Sequence, residues 1–381
     1  MKCIVNGRVV LGDRVVTGKA VLFDEKIADI VDMDSVSTEK CEIIDAAGAY
    51  VAPGLVDMHI HGYLGADVSD GDPEGIKKMA RGIAENGVTS WCPTTMTVSE
   101  KEILAAFDAA RKVKGESEYY GARILGINCE GPFINPSKKG AQAEEHIKRP
   151  DGDFIIDNAD ILKVYTVAPE MDGALECIEK VYKDGRVLSS MGHTGATFEE
   201  AKAGIAAGVR HTTHLFNAMT PLMHRNPGVV GAALSDDRVS CELIADTFHV
   251  NKGLFGIVAK LKDDKLCLIT DCMRAGGMPD GDYTLGGQPV KKKGIQCLLE
   301  DGTIAGSVLK LNNAVKNLYD NTDLSVAEAF AAASLNPAKV LGEDGEIGSI
   351  EAGKRADIII CDDDFNIIKT IIGGTIRYEC K

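Results

Sequence analysis

The sequence predicts an α/β fold: a closed (β/α)8, TIM-like barrel set into a small β-sandwich built from the two ends of the chain. Three observations predict it. The first fifty residues and the last thirty-five or so read as short strands. Between them, apolar strand-like runs alternate with longer Ala- and Lys-rich helical stretches, the texture of βα units and a parallel sheet. And the middle holds eight such runs, the number that closes a barrel.

At the N-terminus, Lys2–Val5 and Arg8–Leu11 flank Asn6-Gly7, a hairpin signal, and further short runs follow at Ala20–Phe23 and Ile27–Ile30. The eight central runs are Leu55–His61, Val88–Thr94, Arg123–Glu130, Leu162–Ala168, Val187–His193, Val209–His214, Cys241–Asp246 and Leu266–Asp271. Most precede a loop and a helix. Thr197-Phe-Glu-Glu200, for example, is a capping box opening a helix over Phe198–Gly208. The Gly-rich stretch Ala275–Gly287 reads as a long loop after the eighth strand. Gly348-Ser-Ile, Ala356–Cys361 and Ile367–Ile372 return as strands. The expected division is residues 1–52 and 345–381 for the small β domain and 53–344 for the barrel.

Composition bounds the function. The chain has 381 residues, 45% hydrophobic and 26% charged, with a formal charge of −15. So acidic a chain lacks the basic face that nucleic-acid binding needs, and any phosphate must be held by a few local groups. No run approaches the length of a membrane-spanning helix. The N-terminal charges Lys2, Arg8, Asp13 and Arg14 interrupt any signal peptide. The eleven cysteines are odd in number, scattered and without a CxxC pair. They read as buried free thiols of a reducing compartment, the cytoplasm.

The chemistry gathers at strand ends. His59, His61, His193 and His214 fall at the C-terminal ends of strands, and Glu130 and Asp271 occupy the same kind of position. In a barrel all these ends open on one mouth, where active sites are built. His59 and His61, two apart on a strand, share a face about 6–7 Å apart along it. A His-x-His pair alone reads equally as structural. Six matching positions argue for a divalent metal, and imidazole with carboxylate suits zinc or iron. His249, in Asp246-Thr-Phe-His249, reads equally as a buried, satisfied histidine or a substrate contact. His211 reads as structural, and His146 and His224 as loop or surface residues. Arg225, with Asn217 and Ala218, lies in the loop after strand six. A lone loop arginine is usually solvated, yet an arginine with backbone N–H groups is also how phosphate is gripped. Motifs for kinases, dehydrogenases and serine hydrolases are absent from the sequence.

Val51-Ala-Pro-Gly-Leu-Val-Asp-Met-His-Ile-His61 and Gly348-Ser-Ile-Glu-Ala-Gly-Lys-Arg-Ala-Asp357 resemble the amidohydrolase superfamily. Glu130-Gly-Pro-Phe, Gly192-His-Thr-Gly-Ala-Thr, His214-Leu-Phe-Asn-Ala-Met, Thr270-Asp-Cys-Met-Arg-Ala and Ile304-Ala-Gly-Ser resemble, within it, the N-acetylglucosamine-6-phosphate deacetylase family. The resemblance spans essentially the whole chain. It implies that Glu130, His193 and His214 bind a principal metal, that His59 and His61 add a second site, and that Asp271 is the catalytic aspartate. It implies sugar-phosphate contacts from Ala141, Asn217, Ala218, Arg225, His249 and the loop Ile304, Ala305, Gly306. It also implies one or two metals per chain and a homodimer in which Arg225 reaches the neighbouring subunit's site. Some family members carry a histidine where this chain has Gln142, which can donate a hydrogen bond to a substrate carbonyl but cannot carry a charge. The implied reaction is hydrolysis of the acetamide of a sugar phosphate, in amino-sugar catabolism.

Two rivals remain at this stage. One is another amidohydrolase, dihydroorotase-like or acting on N-acyl amino acids. Many of these use a carbamylated strand-four lysine, but Lys163 sits at the wrong end of its strand. The other is a catalytically dead barrel scaffold, against which all six positions are filled.

Overall fold

The computed structural model describes residues 1–36 and 41–380. The eight runs form parallel strands at Leu55–Ile60, Val88–Thr95, Ile127–Phe133, Leu162–Val167, Leu188–Met191, His211–Thr212, Ser240–Ile244 and Leu266–Ile269, hydrogen-bonded in that order. Every residue of the first three is buried, as expected of strands covered on both faces. The barrel closes where the last strand meets the first: Ile60 bridges Cys272, and the Asp271 N–H donates to the His59 carbonyl at 2.9 Å.

Helices cover the outside, starting where the sequence supplies caps. Asp72 caps Pro73–Ala84, with Pro73 in the first turn, where its missing N–H is no loss. Ser99 with Glu102, and Thr197 with Glu200, form reciprocal capping boxes at Glu100–Lys114 and Phe198–Ala207.

The chain ends build the expected sandwich. One sheet holds, in order, Ile27–Asp32, Lys19–Phe23, Lys2–Val5 and Glu42–Asp45. The other holds Thr375–Glu379, Ile367–Ile372, Ile358–Cys361, Tyr50–Pro53, Arg8–Val10 and Val15–Val16, so both termini contribute to it. Ile4, Val21, Phe23 and Ile44 from the first sheet pack against Val9, Val51, Ile358 and Ile371 from the second.

Four local expectations are corrected. Asn6 does turn with a positive φ of 56°, but Lys2–Val5 and Arg8–Val10 enter different sheets and form no hairpin. Gly7 marks the crossing: a Cβ there would meet Val51 Cγ2 at 2.4 Å. Second, Ala275–Gly287 is not all loop. Gly281–Leu285 pairs with Gln288–Lys293, which pairs with Gln296–Leu298. Gly286-Gly287, at φ 53° and 80°, makes the two-residue turn that such a hairpin favours. Third, Arg123–Glu130 divides into Arg123–Ile124, a short edge strand beside the second barrel strand, and Ile127–Phe133. Fourth, Gly348-Ser-Ile forms no strand, whereas Thr375–Glu379 does.

Candidate active site

His59 and His61 extend from the first strand, and Glu130 stands within the third. His193, His214 and Asp271 each lie two residues beyond the end of their strand. All three of these have left-handed backbone, at φ 47°, 27° and 49°. Such conformations are uncommon for residues with a Cβ and cluster where geometry is imposed by function. Here they turn the chain sharply, so that each side chain points back over the barrel mouth. Gly131, at φ 85°, does the same beside Glu130: a Cβ would meet Thr97 Oγ1 at 2.0 Å.

The six side chains converge on one point, and all are buried, Asp271 being the most open at 8%. His59 Nε2 and His61 Nε2 lie 3.3 Å apart, and His193 Nε2 and His214 Nε2 lie 3.1 Å apart. Glu130 Oε1 is 3.2 Å from His193 Nε2, 2.9 Å from His214 Nε2 and 3.4 Å from His59 Nε2. Its other oxygen is 3.2 Å from His61 Nε2, and Asp271 Oδ1 is also 3.2 Å from that nitrogen. Two ligand groups result: His59, His61 and Asp271, and Glu130, His193 and His214.

The donor set fits a metal on three counts. Donors arranged tetrahedrally at the usual zinc distances of about 2.0–2.1 Å stand about 3.3 Å apart, which is the spacing found. Next, the outer nitrogens of three of the four rings are engaged. His59 Nδ1 lies 2.9 Å from Glu242 Oε2, His61 Nδ1 3.2 Å from the Thr94 carbonyl, and His193 Nδ1 2.8 Å from the Lys138 carbonyl. Acceptors there hold the proton on Nδ1 and leave Nε2 free to ligate. Last, the electrostatics call for a cation. Burial pushes the His59 imidazole down, but Glu242 and Glu130 push it back up, to about 9. His61 is likewise raised, against burial, by Asp271 and Glu130.

Above the cluster opens a cavity of about 390 Å³. Of the residues singled out from the sequence, His61, Glu130, Ala141, Gln142, His193, Asn217, Ala218, His214, His249, Asp271, Ile304 and Gly306 line it. His59 lies beneath, fully buried. Ala305 is buried and turned away, its N–H donating to the Cys297 carbonyl at 2.9 Å. Arg225 is exposed and does not line this chain's cavity. Gln142 spans two partners: Nε2 donates to Glu130 Oε2 at 2.5 Å, and Oε1 accepts from the Thr97 N–H at 2.6 Å. Its amide thus braces Glu130. Leu285, on the hairpin not foreseen from the sequence, walls the cavity, and Gln288 ties that hairpin to the Ala141 carbonyl at 2.6 Å. His211 is structural, as expected, between Ser240 Oγ at 2.6 Å and Glu242 Oε1 at 3.2 Å. Lys163 pairs with Glu343 at 2.6 Å and donates to the Leu341 carbonyl, far from any role as a metal bridge.

A model of the Amidohydrolase family matches residues 50–377. This chain belongs to the amidohydrolase family. The chain is 39% identical to the N-acetylglucosamine-6-phosphate deacetylase of Bacillus subtilis, over 92% of this chain and 91% of that one. It is 38% identical to the N-acetylgalactosamine-6-phosphate deacetylase of Escherichia coli O157:H7, over 86% and 87%. The crystal structure of N-acetylglucosamine-6-phosphate deacetylase from Pasteurella multocida superposes with a TM-score of 0.94 at 30% identity, covering 98% and 99% of the two chains.

Two carboxylates of this amidohydrolase escaped the sequence reading. Glu242, wholly buried in the seventh strand, faces His59 Nδ1 and His211 Nε2 and accepts the His214 N–H at 2.8 Å. Asp57, equally buried, accepts from Thr270 Oγ1 at 2.6 Å and the His59 N–H at 3.4 Å. Burial, opposed by the Thr270 hydrogen bonds, pushes its carboxyl up to about 7. The available signal was a lone acid inside an apolar strand, in Cys241-Glu-Leu-Ile and Val56-Asp-Met.

Proposed function

We propose that the chain hydrolyses the acetamide of N-acetyl-D-glucosamine 6-phosphate to D-glucosamine 6-phosphate and acetate, a step of amino-sugar catabolism. One observation carries the reading. Four histidines and two carboxylates meet at the floor of a cavity in a chain whose relatives, along nearly its full length, bear the name of that reaction.

The residues that would hold one or two divalent metals, zinc or iron, are Glu130, His193 and His214, with His59, His61 and Asp271. When bound, a metal supplies Lewis acidity toward the amide carbonyl and the attacking water. Asp271 is the one of the six ligand candidates at the open edge of the cluster, which suits a proton carrier. It takes the proton of the attacking water and returns it to the sugar nitrogen, which is too basic to leave as an anion. The cavity orients the acetamide through the remote phosphate. Asn217 and Ala218 lie on its wall, beside His214. Arg225 reaches nothing in its own chain's cavity, and the adjacent Leu222 and Met223 are 56% and 55% exposed. That supports a homodimer in which Arg225 serves the partner's cavity. In the same reading residues 53–344 form the catalytic barrel domain, 1–52 and 345–381 the small β domain. The cysteines form no disulfide among the described residues, and ten of the eleven are wholly or partly buried, which suits the cytoplasm.

Acetate release from the sugar phosphate tests the reaction, and the absence of release from metal-loaded protein refutes it. The N-acetylgalactosamine-6-phosphate deacetylase at nearly equal identity favours the C4 epimer as a second substrate to assay. Two further results are expected. The His59→Asn, His61→Asn double variant stays folded and binds one metal fewer, and equal metal content by elemental analysis would refute the second site. Arg225→Ala raises KM strongly for the 6-phosphate and far less for unphosphorylated N-acetylglucosamine, because a guanidinium grips phosphate through paired N–H groups. Losses of equal size in kcat/KM on both substrates would make Arg225 structural.

A further inference from the structure

His249 reaches the cavity from a loop that a single carboxylate holds in shape. Asp246 lies two residues beyond the seventh strand, Ser240–Ile244. Its Oδ1 accepts the backbone N–H groups of Phe248 at 2.9 Å and His249 at 2.8 Å, closing the loop over Thr247, which is left-handed at φ 67°. Its Oδ2 lies 2.6 Å from His249 Nδ1, and both side chains are 4% exposed. The Asn317 Nδ2 donates to the Ala245 carbonyl at 2.8 Å and anchors the loop to the helix Leu311–Asp320.

A carboxylate at that distance accepts the Nδ1 proton. In the neutral imidazole the other ring nitrogen, Nε2, is then a bare acceptor. That has a consequence for recognition. An acceptor can take the proton of a hydroxyl, but it repels a phosphate oxygen, which offers only lone pairs. We propose that Asp246 is a positioning residue: it fixes the ring and tautomer of His249 so that Nε2 accepts a hydrogen bond from a hydroxyl of the sugar ring. His249 thereby reads the ring, and the phosphate is gripped by other groups. The inference rests on the sugar-phosphate reading above, and it gives Asp246, which does not touch substrate, a part in specificity.

Asp246→Asn tests it closely. The Asn oxygen keeps the two loop hydrogen bonds, while its NH2 faces Nδ1 and can pair only with the opposite tautomer. Nε2 then carries a proton and meets the hydroxyl differently. A site built for one hydrogen-bond polarity loses affinity when that polarity is reversed. The expected result is a KM for the sugar phosphate raised about tenfold, the scale of one hydrogen bond, with kcat changed much less. Inhibition by inorganic phosphate stays as in the wild type. In a His249→Gln background, which has no tautomer to set, Asp246→Asn has little further effect.

An equal loss in both backgrounds would show that Asp246 only holds the loop, and would overturn the proposal. So would an unchanged KM, or tighter inhibition by phosphate in Asp246→Asn. A measurement on the wild-type protein decides the matter even if the variant fails to fold. Nitrogen NMR of histidine-labelled protein, with the His249 signals assigned by their loss in His249→Gln, should show a protonated Nδ1 and a bare Nε2. A proton on Nε2 at neutral pH overturns the proposal. That measurement requires no turnover, so its outcome is separate from a failure of the functional reading, which would show as no acetate released by the wild type.

Discussion

Asp271→Asn is expected to cut turnover by about 10²–10⁴-fold, the cost of losing a general acid–base group, and by more where the group also ligates a metal. Asparagine keeps the size and shape of the side chain and cannot accept the proton of water. The surroundings should survive the change. The backbone of Asp271 is held independently, its N–H by the His59 carbonyl at 2.9 Å and its carbonyl by the Ser307 N–H at 2.8 Å. A melting temperature near that of the wild type would therefore accompany the loss. Steady-state acetate release is the measurement. Retention of more than about a tenth of wild-type turnover, well outside the range for an acid–base group, would remove Asp271 from the role assigned to it.

The second large effect is expected at a residue that touches no substrate. Glu242→Gln should weaken metal binding by about 10–100-fold, the usual result of removing the partner of a ligating histidine. The wholly buried carboxylate serves His59, His211 and the His214 N–H together. Burial pushes that carboxyl up, and the His59 charge and the His211 and His59 hydrogen bonds overcome it, holding the group well below the usual range. An amide supplies one acceptor and places an NH2 against the other histidine, whose proton must then move. Stability should fall as well, by about 3–5 kcal/mol if the buried pair is broken outright. Chelator competition reads the first effect and denaturant titration the second. Wild-type metal affinity in a well-folded variant would show that the histidines are oriented by the strands alone.

The barrel and the metal-ligand candidates were legible because they obey a positional rule. Polar residues that end eight successive apolar runs must meet if the runs close, whatever the details of packing. His193, His214 and Asp271 needed only that rule. Glu242 did not follow it. It sits inside its strand rather than at the end, and its partners come from the first and sixth strands, so its purpose exists only once the neighbours are known. Asn6-Gly7 misled for the related reason that a turn signal is local, whereas strand pairing is decided across the sheet. There, Lys2–Val5 finds better partners in Lys19–Phe23 and Glu42–Asp45. The hairpin over the cavity was concealed by composition. Many glycines suggested loop, although the Gly286-Gly287 pair between alternating residues carried a hairpin signal of its own. Arg225 is a different matter: its surroundings within one chain explain nothing about it.

The meeting of the first and last barrel strands bears on biosynthesis. Asp57 and Thr270, hydrogen-bonded at this seam, stand 213 positions apart in sequence. A ribosome has thus made more than two-thirds of the protein before the loop can shut, and the entropy of so long a closure is met only by contacts formed at the end. A nascent chain stopped before Thr270 already carries all four histidines of the ligand groups, and Glu130. It lacks Asp271, whose N–H closes the ring on the His59 carbonyl. Of the two ligand groups, the one made of His59, His61 and Asp271 is thus completed only at closure, and an ion held there would act as a clasp on a finished ring: whatever binds only the closed form adds its binding energy to the stability of the whole barrel.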